Sequence, residues 1–227
     1  MKQFSLILLF LIQCSNNGYN QSFKEINSET INTYHNKGVN YIYQYVTTSD
    51  SSYLDSALIT INDGLDYCNN SNCPLVIRKL NILSILHRYK EAISFIEQID
   101  SNVLNNYMGE FYYKSIFYRF LAMDASYNKN IELKNDYLDK AIKVVSEFIE
   151  NNNSNLSNFF SSDKNELFKG KYWLALAQYQ YYYYLRHGNI ESSQLMNKLK
   201  EQYPIYNKII IFNNDFLNLN LMEFTGI

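Results

Sequence analysis

A six-residue segment recurs three times and limits what this chain can fold into. It reads Tyr-Leu-Asp-Ser-Ala-Leu at Tyr53–Leu58, Arg-Tyr-Lys-Glu-Ala-Ile at Arg88–Ile93 and Tyr-Leu-Asp-Lys-Ala-Ile at Tyr137–Ile142. Each copy places a large apolar residue three positions before an alanine: Leu54/Ala57, Tyr89/Ala92 and Leu138/Ala141. Three-residue spacing puts both side chains on one face of a helix. A small residue on that face opens the side-chain ridge, so that a second helix can cross closely. The segment therefore predicts an all-α chain of paired helices.

The rest of the sequence agrees. Leu54, Ala57, Leu58, Ile61 and Leu65 form one stripe in a helix expected over Tyr53–Tyr67,. Leu75–His87 is apolar on most sides, as an inner helix is, and Pro74 suits its first turn,. Further helices are expected over Glu29–Val46, Arg88–Ile99, Leu104–Ala125, Tyr137–Glu150, Glu166–Arg186 and Ile190–Gln202, with Tyr206–Phe224 as a terminal cap. Asn128–Asn135 reads as a polar insertion and Asn151–Asp163 as a low-complexity loop. The chain has only two Pro and seven Gly, which disfavours an all-β design with many tight turns,.

The start of the chain points to export. Lys2 precedes the apolar stretch Phe4–Ile12, too short for a membrane span of about 20 residues but suited to a signal peptide,. Leu11-Ile12-Gln13-Cys14 resembles the bacterial lipobox in the relaxed form of Bacteroidetes-type bacteria, with Gln13 in place of the usual small residue. That resemblance implies removal of residues 1–13, lipidation of Cys14, and an outer-membrane lipoprotein facing the periplasm or the cell surface. The alternative is an ordinary signal peptide cut after Cys14. Residues 14–28 would form the lipidated, flexible tether, and residues 29–227 the folded domain. In an oxidising compartment Cys68 and Cys73, four polar residues apart, are expected to close a small disulfide across a turn,. Free thiols are the other reading. A metal site would need a second pair of ligands.

Several function classes are disfavoured. The net charge of −2 comes without the basic stripe that nucleic-acid binding requires,. His35, His87 and His187 are far apart in sequence. The chain shows no nucleophile elbow, zincin motif, phosphate loop or dinucleotide fingerprint,. The expectation is a protein that is not an enzyme and uses no cofactor or metal.

Helical pairs with Tyr/Leu-x-x-Ala in the second helix resemble the tetratricopeptide repeat family, Tyr89-Lys90-Glu91-Ala92-Ile93 most of all. Trp173, Leu176, Ala177, Gly188 and Pro204 look like the family's positions in a fourth unit, with Ser193 in the alanine's place. Ala57 to Ala92 spans 35 residues, close to the family's period of about 34, whereas the later spacings of 49 and 52 depart from it,. The resemblance implies a degenerate α-solenoid of about four antiparallel hairpins plus a C-terminal capping helix. It implies also that the first helices line a groove for a protein or peptide partner. With Ser115 and Ala177 at the small-residue position, the groove would be lined by Tyr112, Arg119, Gln178, Tyr181 and Tyr182. The functional expectation is an envelope lipoprotein acting as a binding or assembly module. An immunity lipoprotein that neutralises a toxin, or an accessory of nutrient uptake, are the alternatives.

Overall fold

The computed structural model of the chain describes residues 27–105, 108–152 and 166–202. The leader with Cys14, most of the loop Asn151–Asp163 and the stretch Tyr206–Phe224 lie outside them. The described residues are all-helical, with no strand among them. The chain divides after Asn106 into two compact units.

Unit 1 holds α1 (Ser28–Thr48), α2 (Ser52–Tyr67), α3 (Cys73–Ile85), α4 (Tyr89–Gln98) and the short α5 (Ser101–Asn105). Asparagine side chains cap the starts of two of these helices. Asn27 Oδ1 accepts from the Glu29 N–H at 3.0 Å, and Asn72 Oδ1 accepts from the Leu75 N–H at 3.2 Å, with Pro74 in the first turn,. The helix ends are made without glycine. Ser49 and His87 hold left-handed backbone (φ 59° and 57°) just past α1 and α3,. α1 packs on α2 and α3, α2 on α3, and α3 on α4. The stripe Leu54, Ala57, Leu58, Ile61 and Leu65 is buried, as are Leu75, Val76, Ile77, Leu80, Ile82 and Leu83 of α3.

Close approach of α1 to its neighbours depends on two glycines, Gly38 of α1, where a Cβ would stand 2.6 Å from Ile61 Cδ1, and Gly64 of α2. A Cβ on Gly64 would stand 2.8 Å from Tyr34 Cβ and 3.1 Å from Leu75 Cδ1. The Tyr34 Cβ is fixed to the α1 backbone, so it moves only if the helix moves. Alanine gains about 1 kcal/mol of helix propensity over glycine, but overpacking of a filled core costs about 1–3 kcal/mol. Gly64→Ala is therefore expected to lower the melting temperature. Gly170 has nothing within 4 Å of the same added atom, so Gly170→Ala should raise it. Thermal melts of the two variants check the pair, and a gain for Gly64→Ala would refute the tight α1–α2 contact.

Unit 2 holds α6 (Glu110–Tyr127), α7 (Ile131–Asn152), α8 (Glu166–His187) and α9 (Asn189–Gln202). α6 packs on α7 and α8, α7 on α8, and α8 on α9. Its core joins Phe111, Ala141, Val145, Ile149, Tyr172, Ala175, Leu176, Tyr181 and Tyr182. Phe111 stacks on Phe148 with ring centroids 3.9 Å apart. Arg186 of α8 donates from Nε to Asp139 Oδ1 of α7 at 2.8 Å.

Two element boundaries depart from expectation. A single helix was expected over Leu104–Ala125, but the chain breaks it into α5 and α6. Gly109 sits at the start of α6 with φ 86°, a backbone state that no right-handed helix contains,. The expected insertion Asn128–Asn135 is mostly helix. Asn130 Oδ1 accepts from the Leu133 N–H at 3.0 Å and starts α7 six residues before Tyr137,. Longer helices, rather than an inserted loop there, thus lengthen the spacing from Ala92 to Ala141.

The recurring segment behaves alike in all three places. Ala57, Ala92 and Ala141 have no exposed surface, and Leu54, Tyr89 and Leu138 are buried.

Candidate functional site

The residues expected to line a groove converge in unit 2, and most of them are buried. α6 presents Tyr112, Ser115 and Arg119 on one side, at helical spacings of three and four,. α8 brings Gln178 and Tyr182, again four apart, to meet them. Tyr182 Oη donates to Ser115 Oγ at 3.4 Å, and Ser115 Oγ donates to the Tyr112 carbonyl at 3.0 Å. Gln178 hydrogen-bonds the Tyr182 hydroxyl with its side chain. Arg119 bears on both phenols with its charge and lies 5.2 Å from the centre of the Phe120 ring.

Burial decides the character of this cluster. Tyr182 is 1% exposed, Ser115 0%, and Gln178 and Arg119 8% and 9%. Tyr112 is half-buried and forms the accessible edge. Burial pushes the Tyr112 hydroxyl far above the usual phenol range. The neighbouring Tyr182 adds to the rise, and Arg119 opposes it,. Burial raises Tyr182 as well, against the lowering pull of Arg119 and of the bonds from Ser115 and Gln178. Both phenols therefore stay neutral at ordinary pH. A neutral phenol can donate a hydrogen bond, as Tyr182 does to Ser115, and is not a phenolate nucleophile,. Gln178 Oε1 is buried without a hydrogen-bond partner among the described residues, so the cluster holds one unused acceptor,.

Tyr181 does not join the polar cluster. Its ring packs in the unit 2 core, 5.8 Å from that of Tyr182. The half-exposed aromatics of α8 lie beside it in sequence, at Tyr179 and Tyr183, followed by the exposed His187. Their rings form an i,i+4 ladder with centroid distances of 6.2 and 4.4 Å. Sequence reasoning missed this ladder because Tyr181–Tyr184 is one residue type throughout, which hides which members face out.

Unit 1 contains a second buried polar contact that sequence reasoning did not single out. Arg78 of α3 is 4% exposed and approaches His35 of α1. The sequence sets Arg78 beside Lys79 amid Leu75, Val76, Ile77 and Leu80, and no local pattern tells which of the two cations is buried.

Cys68 follows α2 as a buried free thiol, its sulfur 3.5 Å from the Leu65 carbonyl that it faces. Among the described residues Cys68 is bonded to no other cysteine. The side chains of Cys73 and Trp173 lie outside the described residues. His87 stands just past the end of α3. Its Nδ1 is 2.7 Å from Tyr89 Oη, while Glu91, four residues on, pairs with Arg88. Comparison with protein-family models, with curated proteins and with solved structures finds no match.

Proposed function

We propose that this chain is a non-catalytic, lipid-anchored protein of a bacterial outer membrane, facing the periplasm or the cell surface. In this reading it is a degenerate tetratricopeptide-like array of antiparallel helical hairpins. It binds a protein or peptide partner along its first helices. The observation that carries the reading is the convergence of Tyr112, Arg119, Gln178 and Tyr182, drawn from α6 and α8, into one donor-rich cluster. Aromatic and arginine side chains with a buried polar floor are the material of interface hot spots.

The helix order supports the architecture. In unit 1 the first members of successive pairs, α1 and α3, touch each other, and in unit 2 α6 and α8 do the same. Such contacts between first helices are what a repeat array requires. The signal peptide, the lipidated Cys14 and the tether through residue 28 belong to the same reading and rest on the lipobox resemblance.

Site-specific photocrosslinking tests the binding face. A benzophenone amino acid replacing Tyr112, at the accessible edge, is expected to capture one discrete protein in intact cells. The same probe at exposed Glu132 serves as the control. Equal capture at both positions, or none at Tyr112, would remove the proposed groove.

A further inference from the structure

We propose that His35 is a pH-operated latch, which holds α1 against α3 while its ring is neutral and releases the helix when the ring takes up a proton. His35 Nε2 lies 3.2 Å from Arg78 Nη2. A guanidinium is always protonated and can only donate. Nε2 must therefore be the acceptor, and the ring carries its single proton on Nδ1. That nitrogen faces Asn36 Oδ1 at 3.5 Å, an acceptor for the proton. The tautomer is thus set by partners on both sides.

Protonation reverses this contact. A proton on Nε2 removes the lone pair that receives Arg78, turns N–H against N–H and places two cations side by side. Arg78 is buried, so water does little to screen the pair,.

The charged groups described on α1 and α2 lie at the surface. On α2, Asp55, Asp63 and Asp66 are all exposed. On α3, Lys79 points its ammonium at the Phe95 ring, 4.0 Å from its centre. Glu29 and Lys37 of α1 are exposed. The charge that acts on the ring is that of Arg78.

The direction of the pH effect follows. Burial, and then the charge of Arg78, hold His35 below its ordinary value of 6.5, and Asn36 opposes them less strongly. The unfolded chain therefore binds this proton more readily than the folded one. The latch contributes fully above about pH 6.5, the unfolded value. Its contribution fades as the pH falls from there through the lower folded value.

Hydrogen exchange on the full-length chain tests the device, with rates corrected for the intrinsic effect of pH. Between pH 7.5 and pH 5 the amides of α1 are expected to lose protection that those of α4 keep. In His35→Gln, whose side-chain carbonyl accepts from Arg78 without titrating, the α1-specific loss should disappear. The same loss in both proteins, or no loss in either, would overturn the latch. Nitrogen NMR of the wild-type imidazole gives a second reading that does not depend on how well His35→Gln folds. It should show the Nδ1–H tautomer at pH 7.5 and a titration midpoint below 6.5. An Nε2–H tautomer, or a midpoint at or above 6.5, would overturn it.

Discussion

Tyr182→Ala is expected to destabilise unit 2 by about 3–5 kcal/mol, the range for removing a large buried aromatic side chain. The ring is 1% exposed and belongs to the core that includes Tyr172, Leu176 and Ala141. A typical domain has only about 5–15 kcal/mol to lose. Tyr182→Phe keeps the ring and removes the hydroxyl that meets Ser115 and Gln178. Loss of one such hydrogen bond costs about 0.5–1.5 kcal/mol, so the two variants separate packing from polar contact. Urea denaturation followed by circular dichroism gives both numbers. A near-neutral alanine variant would mean that Tyr182 faces an open surface, as sequence reasoning had placed it. Equal losses in the two variants would mean that the hydroxyl, not the ring, holds α8 to α6.

Leu138→Ala should be nearly as damaging, at about 2–5 kcal/mol. Leu138 has no exposed surface. It stands on the face of α7 that also buries Ala141, Val145 and Ile149, at spacings of three, seven and eleven residues,. The large member of the recurring segment fills the space that the small member leaves, so its truncation opens a cavity at a helix crossing. A midpoint of urea denaturation within error of wild type would show that α7 is held by its ends and not by this face.

Both predictions show what could be read before any coordinates. The three alanines and their large partners were legible because two independent patterns, helical periodicity and a small residue at a fixed offset, coincide there. The polar cluster was legible in part. Tyr112, Arg119 and Gln178 were placed together through the repeat-family resemblance, with Ser115 and Ala177 set at its small-residue position, yet the depth of burial was not. That depth depends on which side of α8 the core takes, and four consecutive tyrosines carry no periodicity to decide it. The start of α7 was obscured for a related reason. Ile131 and Leu133 are exposed on the first turn, so the apolar pattern begins only further on, and the Asn130 cap looked like one more loop residue. The contact between His35 and Arg78 joins positions 43 residues apart. Nothing local marks such a pair, and Lys79 beside Arg78 carries the same charge.

The helix ends built without glycine have a consequence for how this protein could change. Ser49, His87 and Lys129 all hold left-handed backbone, at φ between 57° and 59°. An L-residue with a Cβ bears about 1–2 kcal/mol of steric cost there, and glycine avoids it. The scaffold is therefore not at its thermodynamic optimum. Its easiest gains lie at turn positions outside the α6–α8 cluster, so tolerance for new mutations could rise through these corners while that cluster stays as it is.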